Sequence, residues 1–205
     1  EGKMAAAVNV AIFVLQADMK ETADVRRLVA TSHGSQRSMS VWHAAGVNAD
    51  ATLPRQTGAT FASVYAPKAH GVWMLQRSTA GAPLRTCALF SSVAALLGGA
   101  GQANYSAANT CLDALAACRR SRGTVSASVQ WGAWAEIGMA TRGAANERSE
   151  AMEASSGVVR IGLAQGLAAL HIAVSSCSSS CVGVFNAQWR RVLALGVVPA
   201  FLSEM

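Results

Sequence analysis

Short apolar blocks and amphipathic stretches alternate along the chain. Residues 10–17 form an apolar run that ends at Asp18, and its length suits a buried strand. Residues 21–30 carry Val25, Leu28 and Val29 on one face of a helix. Residues 39–43 read as a second strand, leading into Ala44, Ala45 and Gly46. Residues 60–76 are helical in period, with Phe61, Val64, Val72 and Leu75 apolar; Pro67 interrupts that helix and restarts it. Residues 86–90 form a third strand, closed by Ser91 and Ser92. A long helix is predicted over 103–122, and a fourth strand over 124–130 with Val125, Ala127 and Val129 on alternate positions. Residues 161–174 read as a helix and 181–185 as a last strand. The stretch 139–157 is polar and alanine-rich without an apolar period, and is expected to be mobile. No internal repeat is visible.

Strands alternating with helices predict an α/β fold in which a parallel sheet is covered on both faces. Right-handed crossovers make that sheet doubly wound, and ligands then bind beyond the carboxyl ends of its strands. Asp18, the Ala44–Gly46 stretch, Ser92, and Trp131 with Gly132 all follow predicted strands.

Composition narrows the class. With 205 residues, 52% hydrophobic and 14% charged, the chain is expected to be one domain with a sizeable core and not a disordered segment. The apolar stretch 5–15 is broken by Asn9 and is too short to span a bilayer, so no membrane insertion is expected. Lys3 before that stretch imitates a signal peptide, but the run reads better as a strand. The first residue is Glu1, so the chain is expected to be part of a longer polypeptide.

The net charge of +6 invites a nucleic-acid reading. The densest basic group is Arg119, Arg120 and Arg122, at a helix end followed by Gly123, which is capping chemistry. No nucleic-acid partner is expected. Only three lysines occur, which gives Lys68 weight. Cys87, Cys111, Cys118, Cys177 and Cys181 are odd in number and lack paired C-x-x-C spacing. They fit neither a disulfide framework nor a zinc site, and imply reduced thiols in an intracellular, cytoplasmic protein. The four histidines are isolated, so no metal is expected.

Candidate chemistry centres on Ser92, Tyr105 and Asn109. A loop of small residues joins Ser92 to Tyr105 and can bring both hydroxyls to one point, and Asn109 lies one helical turn beyond Tyr105. A tyrosine hydroxyl, ordinarily near pKa ~10, can serve as a general acid near neutrality if a cation lowers that value. Lys68 is the candidate cation. Spacing alone leaves two readings open, a proton donor or a core tyrosine with a satisfied hydroxyl.

The stretch A-L-F-S-S-V-A-A-L-L-G-G-A-G-Q-A-N-Y-S-A-A-N resembles the ketoreductase domain of modular type I polyketide synthases, in the short-chain dehydrogenase/reductase superfamily. The resemblance continues through H-A-A-G-V from His43, A-P-K-A-H-G-V-W from Ala66 and W-G-A-W-A-E-I-G-M-A from Trp131, and covers nearly all of the chain. Free-standing members carry Tyr-x-x-x-Lys, whereas here the fourth position after Tyr105 is Asn109. In the polyketide synthase ketoreductases the lysine and asparagine exchange places, which fits Lys68. The resemblance implies that Tyr105 protonates the ketone oxygen, Ser92 hydrogen-bonds it, Lys68 favours the tyrosinate and contacts the nicotinamide ribose, and Asn109 supports the proton relay. It implies NADPH as hydride donor and a β-ketoacyl group on an acyl carrier protein as substrate, beside other polyketide synthase domains. Asp18 and Met19 correspond to the adenine side, Ala44, Ala45 and Gly46 to the close-approach loop, and Trp131 and Gly132 to the nicotinamide side. Residues 139–157, beginning at Met139, correspond to the substrate lid, and Trp134 to a substrate contact.

Ketoreductases giving the D alcohol resemble one another in a Leu-Asp-Asp motif, and Asn48-Ala49-Asp50 keeps only the last acid. Those giving the L alcohol commonly carry Trp where Leu97 stands. The two positions together favour the D product. The family's glycine-rich phosphate turn is not found, and its first two strands are expected to precede Glu1. In the family order 3-2-1-4-5-6-7, their absence would leave a gap of roughly 14 Å beside residues 39–43. The expected fold is therefore Rossmann-like without its first two strands: either a fragment of a longer polypeptide, or a chain whose N-terminal segment packs abnormally; in both cases the isolated chain is expected to bind NADPH poorly. A fatty-acid-synthase-type or free-standing 3-oxoacyl reductase, and a non-catalytic structural piece of a megasynthase, remain as alternatives.

Overall fold

The computed structural model describes residues 14–32, 39–136, 157–175 and 179–194. Its strands are β1 (Met39–His43), β2 (Leu84–Ser92), β3 (Ala127–Trp131), β4 (Val158–Val159), β5 (Cys181–Val184) and β6 (Asn186–Ala187). Its helices are α1 (Thr22–Ser32), α2 (Gly58–Tyr65), α3 (Gly71–Ser78), α4 (Ala94–Leu97), α5 (Ala103–Ser121), α6 (Leu163–Ser175) and α7 (Trp189–Ala194). A 3-10 turn, Leu53–Arg55, precedes α2, and a π-helical turn, Ala66–His70, joins α2 to α3.

Four strands make one parallel sheet in the order β1-β2-β3-β5, and β4 pairs antiparallel with β6 in a small ribbon. Val72, Cys87, Leu89, Leu112 and Ala116 pack together where α3 and α5 cover one face of the sheet. Val129, Trp131, Ile161 and Ala173 pack on the other face, beneath α6. The doubly wound α/β arrangement expected from the alternating pattern is thus present.

β3 has two unlike faces. Val129 and Trp131 enter the α6 side, while Ser128 and Gln130 bond to Asp113 of α5. Every residue of the strand is buried. Val125, expected to lead an apolar alternation, lies before the strand and is 39% exposed.

Pro67 has no amide proton to give to a helical carbonyl, so the α-helical ladder cannot run through it. The chain widens instead into the π-helical turn, closed by the Gly71 amide donating to Ala66 O and Lys68 O. Such a wider turn displaces the residues it contains relative to a regular helix. Lys68 is the buried residue of that turn.

The strand expected over residues 10–17 is corrected over residues 14–17, and residues 10–13 lie outside the described residues. Residues 14–18 are irregular, and Val14 is 91% exposed. An extended segment becomes a strand only where a neighbour takes its amides and carbonyls. Among the described residues β1 has a neighbour only in β2, and none pairs with 14–17. The remaining expected elements recur, with β2 extended to Leu84–Ser92 and the last helix beginning at Leu163. Met139 and the rest of the expected lid before Gly157 lie outside the described residues.

Candidate active site

Ser92 ends β2 and Tyr105 stands in the first turn of α5. Between them α4 and a glycine loop reverse the chain. Gly98 and Gly101 take φ values of 76° and 73°, which side chains disfavour. The loop is stitched to residues 49–51: Ala51 N donates to Gly101 O at 2.9 Å, and Asn104 Nδ2 donates to Ala49 O at 2.9 Å. The other end of the buried Asn104 amide accepts from Tyr105 N at 2.8 Å. Asn104 therefore fixes the start of α5 from both sides.

Tyr105 is buried, and burial pushes its hydroxyl above the ordinary 10.0. The Ser92 and Asn109 side chains pull it back in part, and Asp50 adds to the rise. The net direction is upward, not the lowering expected from a neighbouring cation. Asn109 is fully buried; its Nδ2 donates to Tyr105 O at 2.8 Å, and its own carbonyl accepts from Ser91 Oγ at 3.3 Å. Ser92 Oγ accepts from Ala94 N at 3.2 Å, which opens α4.

Lys68 is 3% exposed, and its Nζ donates to Phe90 O at 3.0 Å. The amine stands 5.4 Å from the centre of the Tyr105 ring. Burial lowers its pKa to about 8, while Asp113 works the other way. Gly46 makes room for it, since a Cβ there would meet Lys68 Cε at 2.9 Å. His43 closes the same pocket: its Nε2 lies 3.0 Å from Pro67 O, and burial, then the Lys68 charge, lower its pKa to about 4. Ser92, Tyr105, Lys68 and Asn109, four residues from three elements, are thus brought together.

Beside them lies an open groove of about 730 Å³, lined among others by Asp18, Met19, Ala45, Gly46 and Pro67. The Asp18 carboxylate is held below its usual range, first by the Lys20 amide. Its Oδ1 accepts from Lys20 N at 3.0 Å, and its main-chain N donates to Asp24 Oδ2 at 2.8 Å. Met19 packs on Gly71, where a Cβ would come within 2.9 Å of its own. Ala44 is exposed beside these residues. The small residues Ala17, Ala45 and Gly46 in the lining of the groove suit a flat ligand such as the adenosine half of a dinucleotide.

Trp131 and Gly132 lie on the Ser92 side of the site and not along that groove. Trp131 O accepts from Val93 N at 2.9 Å, and the ring packs on Phe90 and Trp134 at 5.8 and 4.9 Å between centres. Gly132 abuts Phe185, and its amide donates to Val184 O at 2.8 Å. Trp134 bridges to Ile161 and covers Gly166. Asp50 Oδ2 accepts from Gln102 Nε2 at 3.5 Å, and Leu97 is half-buried in α4. Three residues of the site escaped the sequence reading: His43, Asn104 and Asp113. His43 and Asn104 stand inside the motifs H-A-A-G-V and A-N-Y, beside positions that were singled out.

Comparison with known proteins agrees with this architecture. The KR domain family matches residues 3–136, and the chain belongs to that family of ketoreductase domains. Phthioceranic/hydroxyphthioceranic acid synthase of Mycobacterium tuberculosis (strain ATCC 25618 / H37Rv) is 41% identical over 152 residues, covering 73% of this chain and 7% of that protein. Polyketide synthase GfsA of Streptomyces halstedii is 39% identical over 172 residues, covering 82% of this chain and 2% of that protein. The chain therefore spans only a few per cent of the length of these relatives. Among solved structures, A-type ketoreductases from a modular polyketide synthase superpose with a TM-score of 0.82 at 30% identity, covering 92% of this chain and 40% of that one. The first ketoreductase of the tylosin polyketide synthase gives 0.76 at 32% identity, covering 87% and 38%.

Proposed function

We propose that this chain reduces a β-ketoacyl thioester, carried on an acyl carrier protein, to the β-hydroxyacyl form during polyketide assembly, with NADPH as reductant and alongside other synthase domains. The convergence of Ser92, Tyr105, Lys68 and Asn109 at one end of the parallel sheet carries the reading. Bound NADPH supplies the hydride. Asp18, Met19, Ala45 and Gly46 would hold its adenosine half along the groove, and Lys68 its nicotinamide ribose.

The chain's own groups then handle the ketone oxygen. The raised Tyr105 hydroxyl keeps its proton at neutral pH and is able to deliver it to that oxygen as charge develops. The Ser92 hydroxyl donates a hydrogen bond to the same oxygen. The Lys68 charge offsets the tyrosinate left behind, and Asn109, whose side chain reaches Tyr105, supports the relay that restores its proton. Asp50 and Leu97 favour a D-configured product, and Trp134 with the segment from Met139 would border the acyl chain.

Following NADPH oxidation with a β-ketoacyl thioester, wild type against Tyr105→Phe, tests the assignment. Equal rates would remove Tyr105 from its role. Chiral analysis of the product tests the hand, and a predominantly L alcohol would reverse that part.

A further inference from the structure

Tyr105, Asn109 and Asp113 recur every four residues and so form one stripe along α5. Each rung of the stripe is tied down. Asn104 holds Tyr105 N, Ser91 Oγ donates to Asn109 O, and Asp113 is gripped hardest. Its Oδ1 accepts from Ser128 Oγ at 2.6 Å and its Oδ2 from Gln130 Nε2 at 2.8 Å. Cys181 of β5 is the register partner of Ser128, and burial, then the Asp113 charge, push its thiol up to about 12. β3 thus presents two donors to one carboxylate beneath a helix.

Resting on the reductase reading above, we propose that Asp113 is a positioning residue of the site: its carboxylate, held by Ser128 and Gln130, fixes the seat of α5 on β3 and with it the place of Tyr105 and Asn109. Ser128 and Gln130 are buried, so they gain no alternative partner from bulk water. A buried polar face of this kind is tolerated only where it is satisfied. Sliding or rotating α5 would break the grip on Asp113, so the grip sets where Tyr105 stands relative to Ser92. Gln130 pairs in register with Ser91, which ties the Asp113 rung to the Asn109 rung. The second effect is electrostatic. Around Lys68 stand Phe90 O from β2, His43 from β1, Gly46 from the following loop and Tyr105 from α5. Asp113 is the carboxylate that favours the charged amine against its burial.

The full 205-residue chain carries only three lysines, so labelling their 13Cε positions lets NMR follow Lys68 directly through a pH titration. In Asp113→Asn the Lys68 midpoint is expected to fall by about half a pH unit or more. With β-ketoacyl thioester and NADPH, kcat is expected to fall about fivefold or more with KM nearly unchanged. The alkaline loss of activity should begin at lower pH, because the charged amine is lost sooner. Ser128→Ala removes one donor but keeps the charge. It is expected to leave the Lys68 midpoint in place and still lower kcat, and it serves if Asp113→Asn does not fold. A lower unfolding temperature alone, with the Lys68 midpoint, the pH profile and kcat unchanged, would overturn the proposal. Tyr105→Phe, run in parallel, separates the two readings. If that variant stays active the reductase assignment falls, while the Lys68 titration still judges Asp113.

Discussion

The Lys68 amine stands 5.4 Å from the centre of the Tyr105 ring and donates to the Phe90 carbonyl 3.0 Å away. Its burial opposes the charged form. Its pKa of about 8 against an ordinary 10.5 corresponds to roughly 2–4 kcal/mol of opposed folding at pH 7. Lys68→Met is therefore expected to raise the unfolding temperature at pH 7 while abolishing reduction. The unfolded state binds more protons between pH 8 and 10.5, so the wild type gains stability across that window and the advantage of the variant shrinks. Thermal unfolding at pH 7 and pH 10 checks both signs. A variant less stable than wild type at pH 7 would refute this.

His43 acts in the acid range. It is buried neutral with a pKa of about 4 against 6.5 unfolded. Its contribution is fully present above pH 6.5 and is lost as pH falls toward 4, where the unfolded state alone gains the proton. Urea unfolding of the wild type between pH 7 and 4 should show a steeper decline than His43→Gln shows. Parallel profiles would place the acid sensitivity elsewhere.

Gly46→Ala is a narrow test of the lysine's position. The new methyl would meet Lys68 Cε at 2.9 Å, and the flexible end of that side chain can swing aside. The unfolding temperature should move by no more than about 2 °C. The reduction rate should fall about tenfold, because the amine no longer sits over the tyrosine. Full activity would show that the position of the amine is not critical.

Gly166→Ala should do the opposite. A Cβ there would overlap the Trp134 indole at Cη2, and that ring is wedged against Trp131 and cannot yield as a lysine tail does. Destabilisation of about 1–3 kcal/mol is expected from overpacking, measurable by urea denaturation.

What the sequence disclosed follows the range of the physics involved. β1 coincides with the expected span 39–43 and α5 nearly with 103–122, because apolar period and capping are local properties. Pro67 announced an interruption, but not that the chain would widen into a π-helical turn and bury Lys68, which depends on the sheet beneath. Residues 14–17 looked like a strand because their side chains suit one, yet a strand also needs neighbours. The ribbon of β4 and β6 has two residues per strand, too few for any period. At the site, spacing singled out Ser92, Tyr105 and Asn109 but left a core tyrosine open, and the resemblance gave these residues and Lys68 their roles. Asp113 did not stand out, since an acid on a helix is ordinarily solvated. Its signal was Ser126, Ser128 and Gln130 alternating with Ala127, Val129 and Trp131 in a strand that ought to be apolar on both sides.

The stitching of residues 49–51 to the glycine loop bears on how such chains can be recombined. Asp50 and Tyr105 sit on segments joined by hydrogen bonds, Ala51 N to Gly101 O and the Asn104 side-chain Nδ2 to Ala49 O. A graft that replaces only one of these segments inherits a seam of mismatched partners. Crossover points for chimaeras between this chain and another KR domain therefore belong outside residues 39–131, so that the two segments travel as one cassette with the strands that bear them.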